Sequence, residues 1–393
     1  MSAKSESRSG TAALVIGHCA GLMDITALPI WVGIVLIGQL ALDPQRAGFL
    51  LTLFLGSIVL SSLYVAPRLA RLNRRRLAPV AYAVAGTAFA SMPSLSGSYV
   101  LLGSAHAVAG LAVGCGLSMV HGTMGNTVNP HRTAAIAFTT LSLVSILMMA
   151  TLPPLVSKLG PNAFFYAMAG IMFTAALAGL LAFPASAREV GGLGLPLARL
   201  PVRVWFGIAA VSLLMVTHSM VFGFIERVGS WHGFTYSQIT TVLVISGCVN
   251  LVPVALSGVL ERHLSASGVV IAGPLIQAVA AVAVTQLSGY GVYIVATSIL
   301  IAIVTFTHVF AFGVLARMDP SGRVVAATPV MVMVGSATGP LLGGVLAQHL
   351  GYGSLGWAAL ALGLLSAGCF FVGTRDAVIR QGNNKKHPAR GLV

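Results

Sequence analysis

Asp24 is the residue from which chemistry could start. It lies about halfway along the first long apolar stretch, and it is the only acid that falls deep inside any such stretch. An ionised carboxylate at the centre of a membrane costs about 2.5–3.5 kcal/mol on insertion scales, and intramembrane ionisable groups commonly mark ion or substrate pathways. Such a carboxyl is expected either to load and release a proton as water reaches it from alternate sides, or to stay protonated and hydrogen-bond a neighbouring helix. His218 is the second candidate. The internal repeat described below places it level with Ala27, about one helical turn from Asp24. An imidazole titrates near neutral pH, so the two groups facing each other could share or relay a proton; a packing histidine is the competing reading. His18, His106, His121 and His308 are further imidazoles of this kind, without the spacing of a metal site. Thr26, Trp31, Phe222, Tyr293, Phe306, His308 and Phe310 are candidates for the wall of a substrate cavity, with helix packing or lipid contact as the alternative for the aromatic rings. Glu226-Arg227 is expected to be a solvated pair at the end of a helix. Paired acids, His-x-x-x-His spacing and Ser/Lys or Ser/His dyads do not stand out, so neither an enzyme, a cofactor nor a metal site is expected.

The elements that must position these residues are membrane helices. Of 393 residues, 57% are hydrophobic and 8% charged, a composition that leaves too little polar surface for a water-exposed fold. Apolar windows long enough to cross a hydrocarbon core of about 30 Å lie near 12–38, 47–67, 77–97, 99–123, 133–156, 162–184, 204–226, 236–259, 268–287, 289–316, 324–348 and 354–374. The expected fold is an all-α integral membrane protein of twelve transmembrane helices in two pseudo-symmetric six-helix bundles. The halves are related by an offset of 191 residues: Arg71 returns as Arg262, Arg132 as Arg323, and Leu159-Gly160 as Leu350-Gly351. Breaks that stay in step mark a duplicated unit.

Basic residues orient such a chain, because those near short loops are retained on the cytoplasmic side. With both termini inside, every Lys and Arg falls inside except Arg46, Lys158 and Arg227. The net charge of +14 then reflects topology, with attraction to anionic membrane lipids as a secondary effect. No basic domain with interleaved aromatics stands outside the helices, so nucleic acid is not an expected partner. The divisions expected are a cytoplasmic tail over 1–11, a bundle over 12–184, a cytoplasmic linker over 185–203, a second bundle over 204–375 and a cytoplasmic tail over 376–393. The first apolar run is too long for a cleaved signal, and Cys19, Cys115, Cys248 and Cys369 all fall within spans, which suggests no disulfide framework. A monomer in a bacterial-type inner membrane is expected.

With these residues in place, the chain resembles the major facilitator superfamily over essentially its whole length. The family's loop signature between helices two and three is a glycine, an acid and a basic cluster. Here it reads Ala66-Pro67-Arg68-Leu69-Ala70-Arg71-Leu72-Asn73-Arg74-Arg75-Arg76, which keeps the arginines and loses the glycine and acid. The second half reads Ser257-Gly258-Val259-Leu260-Glu261-Arg262 and keeps the acid. The resemblance implies a cytoplasmic gate made by Arg71, Arg74, Arg75, Glu261 and Arg262; topology anchoring is the plainer reading of the arginines. A glycine-proline signature that the family's drug/proton antiporters carry in helix five is complete here as Gly335, Gly339, Pro340, Gly343 and Gly344, but in helix eleven. The register-matched helix-five positions are Val144, Met148, Met149, Leu152 and Pro153, so a packed, kinkable helix eleven is expected in place of antiport chemistry. The first helix, Leu22-Met23-Asp24-Ile25-Thr26-Ala27-Leu28-Pro29, looks like the acid, threonine and Ala-Leu-Pro arrangement of proton-coupled drug exporters. The resemblance therefore implies a proton-coupled carrier for a small amphipathic or apolar compound, working by alternating access, with efflux ahead of proton-driven import of a metabolite or siderophore. A transporter-like receptor without transport is the third reading.

Overall fold

A computed structural model describes residues 7–184, 200–318, 324 and 328–386. Most of the 185–203 linker, residues 1–6 and 387–393 of the expected tails, and Arg323 lie outside the described residues, whereas 376–386 of the expected C-terminal tail continue the last helix. Everything described is helix or connection: α1 (Arg8–Pro29), α2 (Pro44–Val65), α3 (Arg74–Leu95), α4 (Tyr99–Met124), α5 (Pro130–Leu159), α6 (Asn162–Ala182), α7 (Val202–Gly223), α8 (Ile225–Trp231), α9 (Tyr236–Val249), α10 (Val252–Leu260), α11 (Ala266–Gln286), α12 (Tyr290–Met318), α13 (Thr328–Leu350) and α14 (Ser354–Lys386). Among the described residues, ten helical stretches are long and apolar enough to cross a membrane. The chain is an all-helical, multi-pass integral membrane protein.

Two of the twelve expected spans come out differently. α3 has 22 residues, but beyond its three leading arginines the segment is diluted by Pro79, Pro93, Thr87, Ser91 and Ser94, which lowers its apolar character. The expected span 236–259 is broken into α9 and α10. Pro253 sits in the first turn of α10, where its missing N–H costs nothing, and the chain turns at Asn250-Leu251 before it.

Sequence chemistry sets the other ends as well. Asp43, Ser98, Asn129 and Thr235 cap α2, α4, α5 and α9 by accepting from backbone N–H groups. The repeated Leu-Gly pairs are helix ends: α5 stops at Leu159 and α13 at Leu350, and Gly160 and Gly351 follow with φ of 82° and 77°. Those values strain any residue with a Cβ, which explains why both repeats carry glycine there. Past Pro29, α1 continues as a π-helix over Ile30–Gln39. Proline supplies no N–H for the carbonyl four residues back, and the wider spacing persists to Leu40, whose N–H bonds Val35 O at 2.9 Å.

Helices α1–α6 pack on one another through α2/α4, α3/α4, α3/α6, α1/α5 and α1/α6, and helices α7–α14 through α7/α13, α11/α14, α11/α12, α7/α14 and α9/α12. The two groups meet chiefly along α2/α13 and α5/α9. Small residues permit the closest approaches, as expected where lipid removes the usual hydrophobic drive. On α4, a Cβ at Gly110 would collide with Phe54 O and one at Gly114 with Ser61 Oγ, so this face lies directly on the α2 backbone.

Candidate functional site

Asp24 is fully buried, and neither carboxyl oxygen has a hydrogen-bond partner. Gly17 and Gly21 share its face of α1 by helical periodicity. There, Cβ atoms would meet Val120 and Leu117 of α4 and the ring of Tyr82 of α3. The Tyr82 hydroxyl donates to Gly17 O at 2.7 Å and lies in the neighbourhood of Asp24. Asp24 therefore faces the interior of the first helix group. Tyr82→Phe should lower stability by only about 1 kcal/mol, because Gly17 O keeps its helical bond; thermal unfolding of the detergent-solubilised protein measures this.

The described contacts do not join Asp24 to His218: no hydrogen bond or ion pair links them. His218 is buried on α7, stacked on Phe222 with ring centroids 5.3 Å apart, and lies near His308 on α12. A second pair of imidazoles occupies the first helix group. His18 Nδ1 and His121 Nε2 are 3.0 Å apart, linking α1 to α4, and the Phe138 ring of α5 meets His18 edge-on at 4.6 Å. Thr26 turns its hydroxyl back to Met23 O at 2.8 Å.

Two of the aromatic wall candidates sit in helix packing, the alternative given for them. Trp31 is fully buried among Phe54, Phe89, His106 and Phe164, in the core of the first group. Tyr293 is fully buried, donates to Ile225 O at 2.7 Å and packs on Phe234. Large rings filled the space between helices, and neither offers a face to a cavity. Phe310 is likewise buried in the second group's core beside Phe306, while Phe222, at 6% exposed, stays with His218.

The expected gate residues stand at one end of the molecule. Arg71, Arg75, Glu261 and Arg262 are exposed and form no ion pair among the described residues. Arg74 is buried, and its guanidinium donates to Leu69 O at 3.1 Å and Gly122 O at 3.2 Å, tying the loop to α4 within one group. The opposite end carries the cross-group contacts. Thr52 of α2 donates to Ala337 O and accepts from Leu341 N at 3.1 Å. A Cβ on Gly48 would collide with Pro340 O, and one on Gly344 with Pro44 O. Of the glycine-proline motif, Gly335 and Gly339 lie on α7 at Ser212 and Ser219, Gly343 lies on Phe224, and Pro340 and Gly344 meet α2.

Glu226-Arg227 corrects the expectation of a solvated pair. Glu226 is 2% exposed and lies over Gly33 of the π-helix, leaving no room there for a side chain. Arg227 holds its carboxylate through two bonds, the Nη2–Oε1 one at 2.7 Å, and reaches Gly38. The pair thus bridges the two groups at the same end as the α2/α13 seal. Gly33, Gly48 and Thr52 escaped sequence reasoning; their one signal is small or hydroxyl residues in otherwise apolar helices.

No protein-family model and no curated protein matches the chain. Solved structures do. A bacterial homologue of the human lysosomal transporter Spinster, inward-facing and occupied, superposes with a TM-score of 0.71 at 13% identity, covering 93% of this chain and 96% of that one. Its inward-facing, unoccupied form gives 0.71 at 12% identity, over 96% and 99%. A D-xylose–proton symporter gives 0.69 at 15% identity, over 93% and 96%. At these identities the likeness carries the fold and leaves chemistry to the residues. With its two helix groups joined along α2/α13 and α5/α9, the chain shares the overall fold of these solved transporter structures.

Proposed function

We propose that the protein is a proton-coupled secondary transporter of a small amphipathic or apolar compound in a bacterial-type inner membrane. It crosses twelve times with both termini cytoplasmic, and its two six-helix halves rock about a site between them. The observation that carries this reading is the uneven distribution of contacts between the helix groups. Thr52, Gly48 and Glu226 close one end, whereas the arginine-rich end leaves Arg71, Arg75, Glu261 and Arg262 exposed. Under the positive-inside rule the arginine-rich end is cytoplasmic, so this is an arrangement open to the cytoplasm, one half of an alternating-access cycle. Buried, unpartnered Asp24 supports coupling to protons, since an intramembrane carboxyl without a partner is a costly group to keep.

The test is proton flux in proteoliposomes, with lipophilic drugs, organic acids and sugars added in turn. Wild type should couple proton movement to one class of compound, and Asp24→Asn should reduce that flux on the order of a hundredfold. The sign of the flux separates efflux by antiport from import by symport. Transport with unchanged coupling in Asp24→Asn would make Asp24 structural and sink the mechanism.

A further inference from the structure

We propose that His18 and His121 form a single-proton site, the point at which a proton enters the first helix group from the arginine-rich end. The inference deepens the proton-coupled reading above and rests on it for its role in transport. Four observations carry it. The two rings are joined nitrogen to nitrogen at 3.0 Å. His18 is wholly buried, and its outer nitrogen, Nε2, has no partner. His121 is only partly buried, near the end of α4 that carries the Gly122 carbonyl bound by Arg74. A hydrogen-bonded imidazole pair therefore runs from a partly buried ring near the arginine-rich end to a fully buried ring on the helix of Asp24.

The chemistry of such a pair differs from that of two separate histidines. When both rings are neutral, one N–H lies between them, and one of the two outer nitrogens carries the only free lone pair. A proton added there makes the internal bond charge-assisted and stronger. A second proton would place hydrogens on both facing nitrogens and two like charges side by side, so the pair takes one. When a proton arrives at His121 Nδ1, the bridging proton can pass from His121 Nε2 to His18 Nδ1 and the proton on His18 Nε2 can leave. One proton enters and one leaves, with no oxidant or co-reactant. Against the pair α5 packs the Phe138 ring; the adjoining titratable or charged groups on the packed helices are Cys19 on α1, bonded to Ala137 O of α5, and Arg74 of α3, bonded to Gly122 O beside His121. Among the described residues no acid pairs with either ring.

The test uses the full chain, ¹⁵N-labelled at histidine, in lipid nanodiscs. NMR titration between about pH 5 and 8 should show two imidazoles that change together while binding one proton between them. His18→Gln should change the titration of His121, and His121→Gln that of His18, while His106→Gln leaves the pair alone. Two rings that titrate independently, or none that titrates, would overturn the proposal on the wild type alone, whatever the variants' folding. In the proteoliposome assay, His121→Gln should shift the pH profile of coupled flux; an unshifted profile overturns the entry role. A coupled pair in a protein that moves protons with no compound would leave the site standing and remove the carrier reading.

Discussion

Gly48→Leu should open the α2/α13 seal. A Cβ at this position would already collide with the Pro340 carbonyl, and an isobutyl group can be admitted only by separating the two helices. Overpacking of this kind costs about 1–3 kcal/mol, and here the cost falls on the closed state. An arrangement with the groups apart at this end escapes it, so the conformational balance should move toward that arrangement. The measurement is alkylation of Ala337→Cys, a 7% exposed position beside Thr52, in a background lacking the four native cysteines. An impermeant maleimide added from the arginine-poor side should label it slowly in the parent and much faster with Gly48→Leu. Gly56→Leu is the control, because that glycine, two turns further along α2, has open space around it. Equal labelling in all three proteins would mean that the seal does not govern access.

Arg227→Met should cost more stability than any other single exchange on this surface. It strands the Glu226 carboxylate against the Gly33 backbone, with its side chain 3% exposed. Breaking a buried pair from one side costs about 3–5 kcal/mol, whereas replacing both partners with packed, uncharged groups is often neutral. The double variant Glu226→Gln, Arg227→Met should therefore recover most of the loss in thermal unfolding, and the difference between single and double variants isolates the coupling. A double variant as unstable as Arg227→Met alone would show that Arg227 stabilises by packing its stem, as long basic side chains can. Since the pair bridges the groups, both variants should also speed labelling of Ala337→Cys.

The amino-acid sequence determined the membrane setting and most of the helix inventory, because hydropathy is additive along the chain and needs no knowledge of neighbours. It also located two helix ends, the repeated breaks at Leu159-Gly160 and Leu350-Gly351, where the glycines take positive φ; the caps Asp43, Asn129 and Thr235 are set by the same local chemistry. The break at Pro253 is legible in the same way, because a residue without an N–H stands inside the expected span 236–259. Which face of each helix looks inward was beyond it. A helix that is apolar all round carries no amphipathic signal, so nothing in the residues around Asp24 says whether the carboxyl faces α3 and α4 or faces His218 on α7. Only the packing of α1 on α3 and α4 decided that, through Gly17 and Gly21. The same limit left Trp31 open between a cavity wall and helix packing, and left His18 and His121, 103 residues apart, as separate histidines. Tertiary structure alone made a pair of them, and tertiary structure alone turned the apparent surface pair Glu226-Arg227 into a buried bridge, because burial depends on what another part of the chain brings alongside.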